Sequence, residues 1–287
     1  MLASPFALLI PLVLAFMLSA GIRMGAGAER AARFGGLALP VAFLIGWALI
    51  VKPGWFAYDA LGRIGHIVLG AALAGLVCDA WLKGRVFLTV GTLGVLVVSA
   101  WAEVNGGVSP LRAPSLPTLA AFAAAVGIGA IVLWRFDRLR TAEHAHMPPV
   151  GVWLIVSVMT TLSLLAVAAA AGDQPLRLSA AVLTAALVGC GTWSWLSRQD
   201  VIGVALALSA AMAEMAIAWA LFERSPFTGV GLVMTGLILF ADGTASRVPL
   251  PKAGVSRFLA PLVLAGIALI PLALGAIVTL VMHPATK

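Results

Sequence analysis

Residues 64–82, IGHIVLGAALAGLVCDAWL, and residues 202–220, IGVALALSAAMAEMAIAWA, decide the fold. Each is an unbroken apolar run of the length an α-helix needs to cross the hydrocarbon core, about 20 residues. The two runs also match each other. At an offset of 138, Ile64-Gly65 falls on Ile202-Gly203 and Trp81 on Trp219. At 139, Thr89 falls on Thr228, Trp101-Ala102-Glu103 on Phe240-Ala241-Asp242, and Pro110-Leu111 on Pro249-Leu250. Thinner matches continue on both sides, Trp55 with Trp195, Asp59 with Asp200, and Gly129 to Val132 with Gly275 to Val278.

Working outward, ten apolar stretches can be read, at about 4–22, 35–52, 62–82, 86–104, 116–136, 149–171, 177–197, 200–222, 226–244 and 258–282. The bilayer core leaves backbone polar groups no water to bond, so runs this continuously apolar must be helices; barrel strands would be half as long and alternate. The expected fold is an all-α polytopic membrane protein of about ten transmembrane helices. A repeating unit of five spans is odd, so the two copies face opposite ways. The expected organisation is therefore two inverted five-helix repeats, residues 1–140 and 149–287, joined by a loop at 141–148.

Composition agrees. The 287 residues are 62% hydrophobic and 10% charged, with a mean hydropathy of +1.09, far more apolar surface than one soluble core could bury. A net charge of +7 would suggest nucleic acid in a soluble chain. Here the basic residues fall between spans, where they report topology, and no nucleic-acid partner is expected. Twelve of the 18 Lys and Arg residues lie after spans 1, 3, 5, 7 and 9. The positive-inside rule then places those loops in the cytoplasm and both termini outside it, in a cell inner membrane. Arg23, Arg30 and Arg33 follow the first apolar run instead of preceding it, which fits a retained helix better than a cleaved signal.

Few residues can carry chemistry. Glu214 lies mid-span in AAMAEMAIA, where an acidic side chain costs about 2.5 to 3.5 kcal/mol, so it is expected to face the bundle interior. It reads either as a proton-coupling or cation-binding carboxylate, or as a carboxyl that hydrogen-bonds a neighbouring helix as structural glue. Glu103 and Asp242 are the matched acids of spans 4 and 9; inversion would put them near opposite faces, as paired gates or as plain solvated helix ends. His66 stands alone among the histidines in lying within a span, as a titrating group or a hydrogen-bonded structural one. Asp79 has Lys83 four residues on, and a local pair accounts for it. Cys78 and Cys190 sit within spans as packing residues, and no spacing suggests a metal or cofactor.

No hydrolase, P-loop, metalloprotease or prenyl-diphosphate motif occurs, and no enzyme activity is expected. Three functions fit. The first is a secondary transporter of a small solute, coupled to protons through Glu214, since inverted halves can alternate access to a mid-membrane site. The arrangement is similar to that of the drug/metabolite transporter superfamily, ten helices in a five-plus-five inverted array. That likeness spans the whole chain, rests on helix number instead of a motif, and implies transport. The charge pattern departs from it, because those carriers keep both ends in the cytoplasm. The second is a non-catalytic subunit or scaffold, packed against membrane partners or further copies of itself through its small residues. The third is a flippase or enzyme for lipid-linked substrates, whose headgroups the basic loops would hold.

Overall fold

The structure is a computed structural model that describes residues 5–53, 59–81, 85–104, 115–141, 147–197, 202–249 and 256–283; the side chains of Pro5, 26–33, 85–92, Glu103, Ser197 and 256–258 lie outside that description. Among the described residues every regular element is helical. The helices are α1 (Leu9–Phe34), α2 (Ala38–Ile50), α3 (Ala60–Trp81), α4 (Arg85–Val104), α5 (Leu116–Thr141), α6 (Pro149–Ala170), α7 (Gln174–Ser197), α8 (Val204–Arg224), α9 (Gly229–Ile238), α10 (Ala241–Ala245) and α11 (Ser256–Met282).

Seven helical stretches are long and apolar enough to cross a membrane: Phe6–Gly25, Ala60–Trp81, Leu116–Thr141, Pro149–Ala170, Gln174–Leu196, Val204–Arg224 and Leu259–Met282. The other three expected spans correspond to shorter apolar stretches, Gly35–Ile50, Leu93–Ala102 and Pro226–Ile238. The second ends at Ile50, two residues before Lys52, which takes φ 52°, a left-handed conformation that cannot continue a helix. The ninth breaks at Leu239–Phe240 into α9 and α10. Helix α5 runs past the apolar stretch to Thr141, so Arg135, Arg138 and Arg140 are helical rather than in a connecting loop.

Helix α8 is the centre of the bundle. It packs against α2, α3, α4, α5, α6 and α7, and it buries every residue from Leu208 to Glu214. Around it, α6 lies between α7 and α11, and α1 packs along α7. The outer helices α1, α5 and α11 keep large apolar side chains exposed, among them Met17, Ile128, Ile131, Leu269 and Ile270. Exposed faces of this extent would be a liability in water and are what lipid requires.

First-half helices pack on second-half ones, so the two halves interlock. The pairings α3–α8 and α2–α7 would map onto themselves if the halves were exchanged. By contrast, α1 packs extensively along α7 while, among the described residues, α2 and α6 form no comparable pairing.

Helices α3 and α8 cross at close range. A Cβ at Gly75 would collide with Cα and N of Ala205, so the two backbones approach as only glycine allows. Asp79, one turn further along α3, accepts hydrogen bonds from the first amides of α8, Val204 N on Oδ1 (2.8 Å) and Ala205 N on Oδ2 (2.9 Å). These are orphan donors that Gly203, with no side chain, cannot cap and that lipid would leave unpaired. This contact gives Asp79 a role that the sequence does not show; Lys83, its expected local partner, lies outside the described residues. Substituting Gly75→Val should cost about 1 to 3 kcal/mol through overpacking, read as a lowered unfolding midpoint in detergent. Gly70→Val, where the added atoms meet open space, should leave the midpoint in place.

Candidate functional site

Glu214 lies ten residues along α8, two turns beyond Ala207, and is 3% exposed. Neither carboxyl oxygen meets a hydrogen-bond partner among the described residues. The structural-glue reading needs such a partner on a neighbouring helix, and none of the described side chains supplies one. Among the described residues no hydrogen bond or ion pair compensates the carboxyl, and burial of an unpaired charge costs several kcal/mol.

Ion pairs tie the bundle at both ends of α8. At its C-terminal end, Arg63 of α3 donates to Glu223 (2.6 Å) and to the carbonyl of Ala102 in α4 (3.5 Å), while Trp219 Nε1 donates to the other Glu223 oxygen (3.1 Å). Beside it, Arg224 pairs with Asp173 at 3.0 Å, fixing the end of α8 to the turn between α6 and α7. Asp173 uses its other oxygen to cap α7 at Leu176 N.

At the N-terminal end of α8 the centrepiece is Arg135, buried on α5. Its Nε donates to the carbonyl of Leu239 (2.6 Å), its Nη2 to Asp242, and its guanidinium lies 5.1 Å from the centroid of the Phe240 ring. All three contacts fall on the break between α9 and α10. A broken helix exposes backbone acceptors that lipid cannot satisfy, and here a cation fills that need. Nearby, Arg140 pairs with Asp137 (2.6 Å) and donates to the carbonyl of Ile202 (3.2 Å), ahead of α8.

The four candidate residues therefore do not converge. Glu214 is at mid-helix; Asp242 is at the end of the bundle where α5 stops. His66 is at the opposite end, near the start of α3, with its ring exposed and Nδ1 donating to Gly62 O (3.0 Å). The side chain of Glu103, at the end of α4, lies outside the described residues. The sequence points to the acids more readily than to their cations. Arg63 falls at the start of the third span, where Asp59 is a local partner, and Arg135 reads as a charge following a span, although each is flanked by apolar residues at helical spacing, Ile64 and Ile67, and Phe136 and Leu139. Among the described residues no three His, Cys, Asp or Glu side chains gather as a metal site. Both cysteines are buried and free, with Cys190 Sγ accepting from Ser19 (3.6 Å).

No protein-family model and no curated protein matches the chain. The apolar helices define its class: an integral, multi-pass, all-helical membrane protein whose environment is a lipid bilayer.

Removing one partner of the Arg135–Asp242 pair should strand the other as a buried charge. Arg135→Ala and Asp242→Ala should each lower stability by about 3 to 5 kcal/mol, measured by denaturant or thermal unfolding in detergent. Arg135→Met combined with Asp242→Leu should recover much of that loss, because the pair is then replaced by apolar packing.

Proposed function

We propose that the protein is a secondary transporter of a small solute in which Glu214 takes up and releases a proton as access alternates between the two ends of α8. The observation that carries this reading is the Glu214 carboxyl, buried at mid-helix in the most enclosed helix of the bundle, with no partner for either oxygen among the described residues. A purely structural acid would have been paired or replaced by an apolar residue of similar size, since an unsatisfied buried carboxyl is destabilising.

Two further features support it. The interhelical ion pairs at opposite ends, Arg63–Glu223 and Arg135–Asp242, suit gates that open one at a time. The α9–α10 break gives one of them a hinge, in keeping with interrupted helices at transport sites. On this reading the chain is in an occluded state, the halves are inverted repeats, and Asp242 acts as one gate. The end bearing Arg135 and Arg140 faces the cytoplasm of an inner-membrane protein, with both termini outside. Glu103 would serve the gate at the other end, and His66, on the outer surface of α3, takes no part in the site.

The test is dissipation of an imposed pH gradient in proteoliposomes holding wild type or Glu214→Gln. Wild type should dissipate the gradient faster than protein-free vesicles when candidate solutes are supplied, and Glu214→Gln should fall to the protein-free rate. Equal rates for the two proteins would remove Glu214 from the mechanism and favour a non-transporting membrane subunit.

A further inference from the structure

Besides Glu214, two wholly buried side chains, Trp153 and Ser157, have a polar atom without a hydrogen-bond partner among the described residues, and both lie on α6. Helix α8 is ringed by α3, α2, α7, α6, α5 and α4, each packed against the next and the last against the first. In that ring α6 stands across α8 from α3.

Helix geometry turns Glu214 and Ser157 toward each other. On α8, Ala205 meets Gly75 and Glu223 meets Arg63, both on α3; the step from 205 to 223 makes about five full turns, so these residues mark one face. Glu214 lies midway between them, half a turn out of phase, and so faces α6. On α6, Trp153 packs on Phe136 of α5, and a Cβ on Gly191 of α7 would touch Leu154 (3.5 Å). Ser157 and Thr161 fall on the arc between these two directions, which is the side of α8.

Depth agrees at both ends of the seam. Phe136 joins Trp153 to the level of Ala207 and Leu208, with which it lines one small cavity, and Asp173, just past α6, pairs with Arg224. Glu214 is thereby level with residues 159–163 of α6. Helical side chains lean toward the N-terminus, which carries its carboxyl into the interval between Thr161 and Ser157.

The oxygens gathered there suit a small cation. Thr161 Oγ1 donates to the carbonyl of Val158 (2.9 Å) and keeps its lone pairs to accept, while the Ser157 hydroxyl is committed to no carbonyl of its own helix. Trp153 Nε1 can only donate and is not a ligand. Carboxylate and hydroxyl oxygens hold hard cations. A single carboxylate balances one positive charge, and a divalent ion would leave charge uncompensated in an apolar seam. Ser157 and Thr161 are fully buried, so the occupant is small.

We infer that the seam between α6 and α8 is a site for a small alkali cation, Na+ or Li+, held by a Glu214 carboxylate oxygen together with Ser157 Oγ and Thr161 Oγ1. The cation exchanges with the Glu214 proton: the carboxyl O–H bond breaks, the proton leaves to water and the ion takes its place, so the seam stays neutral in either form. Further positions on the ion are filled by water that enters with it. Helices α2 and α6 carry no charged residue. Arg63, His66 and Asp79 lie on α3, across α8 from the seam, and the charges of α4, α5 and α7 lie in the end turns of those helices. The site rests on the reading of Glu214 as a proton-exchanging group, to which it adds the ion that replaces the proton.

The test uses the full-length protein in detergent, with the metal ion alone as the probe. Labelling of Glu214 by dicyclohexylcarbodiimide, which attacks protonated carboxyls in apolar surroundings, is timed at fixed pH in sodium, lithium or choline chloride. With Na+ or Li+ at about ten times its Kd, labelling should slow about tenfold relative to choline. Ser157→Ala and Thr161→Val should lose most of that difference, and Ser157→Thr, which keeps a hydroxyl, should retain it. Thr192→Val should retain it too, since Thr192 is exposed on α7 and its hydroxyl donates to Val188 of its own helix. Equal labelling in all three salts overturns the cation site and leaves proton exchange standing; that comparison needs wild type alone and decides the matter even where a variant fails to fold. Protection undiminished in both Ser157→Ala and Thr161→Val overturns the ligands assigned to α6. Absence of labelling in choline at every pH overturns proton exchange at Glu214 itself.

Discussion

The crossing of α3 and α8 is the constraint on which the rest of the bundle depends. A helix that begins within a lipid-facing bundle has free amides at its start, and Gly203 offers no side chain to receive them. Asp79 supplies both acceptors from a helix 125 residues earlier in the chain, and it can do so only because Gly75 lets the two backbones meet. That one contact fixes the antiparallel orientation and the depth of α8. With α8 held there, α2, α4, α5, α6 and α7 close around it, and Glu214 comes to rest buried at mid-helix, with no hydrogen-bond partner among the described residues.

Charge is placed around this core with economy. Buried ion pairs gain little over apolar packing in a static structure, because desolvation offsets their attraction. Arg63–Glu223 and Arg135–Asp242 nevertheless join helices across the bundle at its two ends, and Arg135 also supports a backbone break. A pair of this kind gains little when whole and costs much when half-made. A carboxyl without a partner among the described residues, midway between two such pairs, is the pattern on which the transport proposal stands.

The readable parts of the sequence were those governed by local chemistry. Span length and continuity identified the membrane class, and an acid isolated in AAMAEMAIA marked Glu214 because nothing nearby could pay its desolvation. What depended on distant partners was hidden. Asp79 had a plausible neighbour in Lys83, yet it caps another helix. Arg135 followed an apolar run and resembled a loop charge, since a basic residue at a span end normally reaches water; the buried carbonyl it serves lies 104 positions away. The break at Leu239–Phe240 contains neither glycine nor proline, so nothing local announces it. Its backbone is satisfied from α5, and only the folded chain shows this. The shorter spans were masked for a related reason, because hydropathy records that a stretch is apolar but not where its helix stops.

The account turns on whether the Glu214 carboxyl gains and loses a proton in the folded protein. Infrared difference spectroscopy of the protein in lipid, recorded as bulk pH is cycled, observes the carbonyl stretch of a protonated carboxyl directly. The account predicts a pH-dependent band from a carboxyl in apolar surroundings, shifted by deuterium exchange and missing from Glu214→Gln. A wild-type spectrum without such a band, or one that Glu214→Gln reproduces, would contradict it.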